Sequence, residues 1–139
     1  MILLDTNIIS EAIRPAPDAG VALWLSQRPE TDLFICAVTE AELRLAIQIL
    51  PIGRRREALA KLIEDILSKD FGGRILPFDS RAATAYATIS AARRLAGRPI
   101  SMADAQIAAV ARSRDAAIAT RNVGDFEGCG VAVINPWAA

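Results

Sequence analysis

Ile2-Leu3-Leu4-Asp5-Thr6-Asn7-Ile8-Ile9-Ser10 begins with three apolar residues, breaks at an aspartate and continues in a helix-compatible run. A short apolar segment that meets turn chemistry reads as a buried strand, here Ile2–Leu4 ending at Asp5. Helical pattern follows over Asn7–Ile13 and Asp18–Gln27, divided by Pro15 and Pro17, whose rings interrupt a helix interior. Further strands are expected at Leu33–Val38, Arg74–Pro77, Ala116–Thr120 and Val131–Ile134. Helical stretches cover Glu40–Leu50, Arg54–Lys69, Ser80–Leu95 and Met102–Arg114. This alternation predicts an α/β fold, a three-layer sandwich with a mainly parallel central sheet flanked by helices. No repeat, linker or low-complexity tract interrupts residues 1–139, so a single domain is expected.

Composition narrows the chemistry. The 139 residues are 53% hydrophobic, with 16 basic and 16 acidic side chains and no histidine. A chain of this length buries roughly two-thirds of its unfolded surface. Without histidine it cannot build a Ser-His-Asp triad, a Cys-His pair or a histidine-ligated zinc site. Cys36 in an apolar run and Cys129 among glycines make neither a disulfide framework nor a metal knuckle, which fits a reducing, cytoplasmic setting. The N-terminus lacks a basic region, and no apolar run approaches the roughly 18 residues of a membrane span, so no membrane partner is expected.

Arginine supplies all but two of the bases, Lys61 and Lys69. Arginine grips phosphate bidentately, although a GC-rich genome produces the same usage. Arg54-Arg55-Arg56, the densest basic run, reads as a solvated helix face beside Glu57 rather than an RNA contact. Trp24 shares a helical repeat with Val21 and Leu25 and reads as a core or dimer anchor. The alanine-rich stretch Ala82–Ala96 permits close helix packing and is a candidate homodimer surface.

In an open parallel sheet, ligands bind beyond the carboxyl ends of the strands. Asp5 sits at such an end and could equally cap the helix that follows. Glu40, Arg44 and Gln48, four residues apart, form the wet face of the next helix. Glu42 lies roughly 200° around that helix from Glu40. It shares a side with Leu45, Ala46 and Ile49 and is expected to face the core. Thr39 and Glu42 also fit a capping box, with Thr39 at the N-cap. Ser101 and Asp104 repeat that spacing, and Asp104 shares its side with Ile107, Ala108 and Ala111. Three inward carboxylates at one sheet edge repel unless neutralised. With so few lysines, a divalent cation is the economical neutraliser, and an all-oxygen site suits Mg²⁺ or Mn²⁺.

Leu4-Asp5-Thr6-Asn7-Ile8-Ile9-Ser10, Thr39-Glu40-Ala41-Glu42-Leu43, Ala103-Asp104-Ala105-Gln106-Ile107-Ala108-Ala109 and Thr120-Arg121-Asn122-Val123-Gly124-Asp125-Phe126 occur in series. Together they resemble the PIN-domain ribonucleases, in particular the VapC toxins of toxin–antitoxin pairs and their FitB-like branch. Gly73–Asp79 and Ile134–Trp137 also fit that branch. The resemblance implies a Mg²⁺- or Mn²⁺-dependent endoribonuclease in which Asp5 and Asp104 hold the metal and Glu42 completes the acidic cluster. Thr6, Asn7 and Ser101 match polar positions bordering the site. Implied partners are RNA, a second copy of the chain and a small DNA-binding antitoxin. One departure concerns the last acidic position, where this chain has Asn122, with Asp125 three residues on. Asn122 is nearest the strand end and is taken as the site residue, acting through a water. Asp125 reads as the structural member of a capped turn and as the alternative to Asn122.

Other folds with an aspartate after the first strand fit less well. A haloacid-dehalogenase-type phosphatase needs a second aspartate at the position of Asn7. A phospho-receiver needs a late lysine, and none follows Lys69. A dinucleotide-binding domain needs glycines where residues 5–10 have none. The remaining rival is a PIN-like protein that binds nucleic acid or an antitoxin and cleaves little.

Overall fold

Leu3 and Leu4 are adjacent in sequence, and the period-2 geometry of a strand sends them into different cores. In the computed structural model, which describes residues 1–138, Leu3 packs with Ile89, Ile107 and Ile118. Leu4 packs with Ile8, Ile35, Leu43 and Ile63. Cys36 joins the first group and Ile35 the second, just as Ile118 and Ala119 divide between them. The sheet therefore has a core on each face, which is the three-layer arrangement the sequence predicts.

Five strands make that sheet: β1 (Ile2–Leu4), β2 (Leu33–Cys36), β3 (Ile75–Leu76), β4 (Ala117–Ala119) and β5 (Val133–Ile134). Their order is β3-β2-β1-β4-β5, and every neighbouring pair is parallel. One layer holds α1 (Thr6–Ala12), α2 (Ala19–Ser26), α3 (Ala37–Gln48) and α4 (Arg54–Asp65). The other holds α5 (Ser80–Leu95) and α6 (Met102–Ser113), which pack against each other and against the 3₁₀ turn Val123–Phe126. No helix among the described residues is long and apolar enough to cross a membrane.

Local chemistry explains the boundaries. Asp18, Asp79 and Ser101 accept a hydrogen bond from the amide three residues on and start α2, α5 and α6. Gly97, at φ 70°, ends α5 in a conformation that glycine adopts without strain. The helix expected over Arg54–Lys69 instead stops at Asp65 and closes in a wider π turn, Ile66–Asp70. Gly72 follows it because a Cβ there would stand 2.5 Å from the Ser68 carbonyl oxygen.

Two expectations about the second strand and its helix are corrected. β2 ends at Cys36 and α3 begins at Ala37, so Thr39 lies inside the first helical turn and is not the N-cap. The core face of α3 is Thr39, Leu43 and Ile47, at i, i+4 and i+8, whereas Leu45 and Ile49 are 60% and 75% exposed. Glu40, Arg44 and Gln48 do form the wet face. Arg44 donates to Glu40 at 2.9 Å and pairs with Glu64 of α4, and Arg56 donates to Gln48 at 2.9 Å. Trp24 is buried, with the Arg28 guanidinium 3.9 Å from its ring centre.

These placements separate two apolar truncations. Ile118→Ala removes fully buried atoms from the inner strand β4 and should cost about 2–5 kcal/mol. Leu45→Ala should stay within about 0.5 kcal/mol of the parent. Urea unfolding of both variants checks the assignment, and equal losses would contradict it.

Candidate active site

β1 has β2 on one side and β4 on the other, so the chain leaves it first in one direction and later returns on the opposite side. A crevice at the carboxyl ends of strands opens at such a reversal. Asp5 and Thr120 are the residues immediately beyond β1 and β4.

Asp5 is 5% exposed. Its Oδ1 accepts from the Thr6 amide at 2.7 Å, which caps α1, and its Oδ2 accepts from the Thr120 hydroxyl at 2.7 Å. The capping and site readings of Asp5 thus describe one carboxylate. Burial pushes its pKa above the ordinary aspartate value, and the charges of Asp104 and Glu42 add to the rise. Its bonds to Thr120 and Thr6 oppose it.

Glu42 reaches the same place from α3. Its Oε1 accepts from the Thr6 hydroxyl at 2.7 Å, and that hydroxyl lies 3.2 Å from the buried Thr39 hydroxyl. Glu42 therefore faces inward because α1 lies beside the start of α3, not because it shares an apolar core stripe. Asp104 comes from the first turn of α6, whose inner residues Ile107, Ala108 and Ala111 are fully buried as expected. Ser101 Oγ accepts the Asp104 amide at 3.2 Å. Burial raises the Asp104 pKa, and the charges of Asp125 and Glu42 raise it further, against opposing contributions from Ser101 and Arg93. The charges of Asp104 and Glu42 act on Asp5, and that of Glu42 acts on Asp104, which groups the three carboxylates electrostatically.

The 3₁₀ turn decides less simply between Asn122 and Asp125. Asn122 precedes the turn, is exposed, and donates its amide to the Thr120 hydroxyl oxygen at 3.0 Å. Asp125 is the acid whose charge acts on Asp104. Among the described residues its carboxylate accepts no hydrogen bond, so the self-bonded turn expected for Asp125 does not form. Asn122 borders the crevice through its backbone, and Asp125 brings the charge.

Among the described residues, Asp5, Glu42, Asp104 and Asp125 form no ion pair with a base. No three acidic or cysteine side chains are arranged there as a ready metal cage. Mg²⁺ does not require one, because it keeps several waters and takes one or two direct carboxylates. An all-oxygen, unpaired acidic cluster fits such a cation.

Residues 2–127 match the family described as PIN domain. The chain belongs to the PIN-domain family. It is 43% identical over 137 residues to Toxin FitB of Neisseria gonorrhoeae, covering 99% of each chain. It is 39% identical to VapC ribonuclease Y4jK of Sinorhizobium fredii, covering 99% of this chain and 98% of that one. The solved structure of FitAB bound to an IR36 DNA fragment superposes with a TM-score of 0.93 at 42% identity, covering 99% of this chain and 96% of the other.

Two residues of this PIN domain were not singled out as site residues from sequence. Thr120 is fully buried and its hydroxyl joins three groups: it donates to Asp5 and accepts from Asn7 Nδ2 at 3.3 Å and from the Asn122 amide, while Asn7 Oδ1 in turn accepts from the Arg121 amide at 3.4 Å. Its signal is a hydroxyl at a strand end opposite an aspartate. Arg93, buried on α5, is the second. Its signal is an arginine on the stripe of Ala82 and Ile89.

The raised aspartates fix a sign for stability against pH. A carboxyl whose folded pKa exceeds its unfolded value binds more protons in the folded state across the interval between the two. Its contribution to stability is therefore lost as pH rises from near 3.8 through the folded value. In EDTA at neutral pH, Asp104→Asn should melt above the parent protein, and the gap should close as pH falls towards 3.8. Melting curves across that range test it, and a variant that melts lower at neutral pH would show that burial and like charge do not dominate.

Proposed function

We propose that the chain is a divalent-metal-dependent endoribonuclease and the toxin of a toxin–antitoxin pair. The observation that carries this reading is the convergence of Asp5, Glu42 and Asp104, unpaired by any base among the described residues, at the carboxyl-end crevice of a PIN domain. The name of the Sinorhizobium relative, a VapC ribonuclease, and that of the Neisseria relative, a toxin, support it.

Asp5 and Asp104 would hold Mg²⁺ or Mn²⁺, with Glu42 completing the set and Asp125 adding charge on the Asp104 side. The cation, when bound, supplies Lewis acidity towards a phosphodiester oxygen and acidifies a water. The chain's own part is placement. Thr120 and the Thr6 amide hold both Asp5 oxygens in fixed directions. Thr6 occupies Glu42 Oε1, which leaves Oε2 as the oxygen able to take a proton from water. Asn7 is held between Thr120 and the Arg121 amide at the rim, where its amide can meet a phosphate or ribose oxygen.

The proposed partners are RNA as substrate, a DNA-binding antitoxin and a second copy of the chain. FitAB, solved on a DNA fragment, supports the antitoxin. Leu45, Ile49 and Ile52 are largely exposed around the end of α3. An apolar group of that kind marks a protein-binding surface. The homodimer surface stays on α5, where Ala87, Ala91 and Leu95 are exposed.

Purified protein should cleave RNA with Mg²⁺ or Mn²⁺ and stop in EDTA. Asp5→Asn and Asp104→Asn should each reduce cleavage at least about 100-fold, the scale for losing a group that acts on the transition state, with little change in fold. Expression of the parent chain alone should arrest growth, and expression of Asp5→Asn should not. Wild-type cleavage in both variants would sink the metal assignment. A parent protein that binds nucleic acid yet never cleaves would favour the binding-only rival.

A further inference from the structure

Arg93 is 8% exposed, on the α5 stripe that also buries Ala82 and Ile89. A buried charge is costly unless its N–H groups find acceptors and its charge finds an opposing field. Among the described residues Arg93 pairs with no carboxylate. Its Nε donates to the Arg98 carbonyl at 2.6 Å, and its Nη1 donates to the carbonyls of Asp125 and Glu127 at 2.9 and 2.8 Å.

Those acceptors belong to two separate segments. Arg98 lies in the link from α5 to α6, three residues ahead of the Ser101 that caps the Asp104 helix. Its amide also donates back to the Arg93 carbonyl at 2.9 Å, so the link is gripped by both backbone and side chain. Asp125 and Glu127 flank Phe126, which is 1% exposed and anchors the turn in the α5–α6 core. Between the same two segments, Arg98 and Glu127 make an exposed ion pair at 3.2 Å.

We propose that Arg93 is a positioning residue of the active site, its single guanidinium spanning the link into α6 and the 123–127 turn and so setting Asp125 against Asp104. This rests on the reading of the acidic cluster as a cation site. It also explains why Asp125 can serve where the turn begins with a neutral Asn122: the acid is further along the turn, and the turn is pinned from behind. The charge of Arg93 acts on Asp104 in the sense that opposes the neighbouring carboxylates. Lysine cannot replace it. An ammonium keeps the charge but has no planar fork to reach carbonyls in two segments at once.

The test is a Mn²⁺ titration of the intact protein, Arg93→Lys, Asp125→Asn and the double variant. Arg93→Lys and Asp125→Asn should each weaken Mn²⁺ binding about 10-fold or more, the scale for residues that orient metal-binding groups. Because Arg93 acts through Asp125, the double variant should bind no more weakly than Asp125→Asn alone. A folded Arg93→Lys with parental affinity, or losses that multiply in the double variant, overturns the proposal. A parent protein that binds no Mn²⁺ removes the cation site itself and is distinguishable from either result. Should Arg93→Lys not fold, the Arg93 Nε–H resonance answers instead. It should shift on Mg²⁺ addition in the parent and stay in place in Asp125→Asn, and equal shifts in both would overturn the proposal.

Discussion

The hydrogen bond from the Thr120 hydroxyl to Asp5 Oδ2 ties the carboxyl end of β1 to that of β4. These two strands border the reversal in strand order, the place where an open parallel sheet offers its crevice. The Asp5 amide continues the ladder by donating to the Ala119 carbonyl at 2.9 Å, so backbone and side chain hold the same junction. The Glu42, Asn7 and Asn122 side of the site is set from it. Thr6 follows Asp5 and fixes Glu42, Asn7 follows Thr6 and meets Thr120, and Asn122 takes its amide to that same hydroxyl. A buried aspartate with both oxygens committed has little rotational freedom, which would suit the cation ligand proposed for this position.

The cluster is an electrostatic cost that the fold accepts. Asp5 and Asp104 are both raised, chiefly by burial and further by their acidic neighbours. Asp5 and Asp104, without a basic partner, oppose folding at neutral pH, since desolvation and the neighbouring acidic charges both penalise their charged forms. A cation held there, as proposed, would return that energy by mass action. Helix starts, the second turn of α3 and the 3₁₀ turn carry the acids, while the sheet and two apolar cores hold them in register. Stability and site chemistry therefore reside in different parts of the chain and meet only at the strand ends.

What was legible in the sequence follows from how far each signal reaches. Ile2–Leu4, Ala116–Thr120 and the Ser101 cap announce themselves locally, through an apolar run or a capping residue, and they lie where expected. Asp104 was legible because Ile107, Ala108 and Ala111 share its side of a fully packed helix. Glu42 came to the right place for a different reason. Leu45 and Ile49 suggest a core face, yet they are exposed, because α3 starts at Ala37 and buries Thr39, Leu43 and Ile47. Helical periodicity identifies an apolar stripe but not whether that stripe meets the core or a partner. The relation of Asp125 to Asp104 and the reach of Arg93 to Asp125 and Glu127 span 21 to 34 residues of chain and two turns, and no local pattern records them.

As proposed, Asp5 and Asp104 would share one cation at the carboxyl ends of β1 and β4. Anomalous diffraction from crystals grown with Mn²⁺ tests it most directly. The account predicts a Mn²⁺ peak between the Asp5 and Asp104 carboxylates, with oxygen contacts of about 2.0–2.2 Å as for small hard divalent ions, and Glu42 and Asp125 facing its waters. A well-occupied peak elsewhere, or none at the crevice in crystals saturated with Mn²⁺, would contradict it.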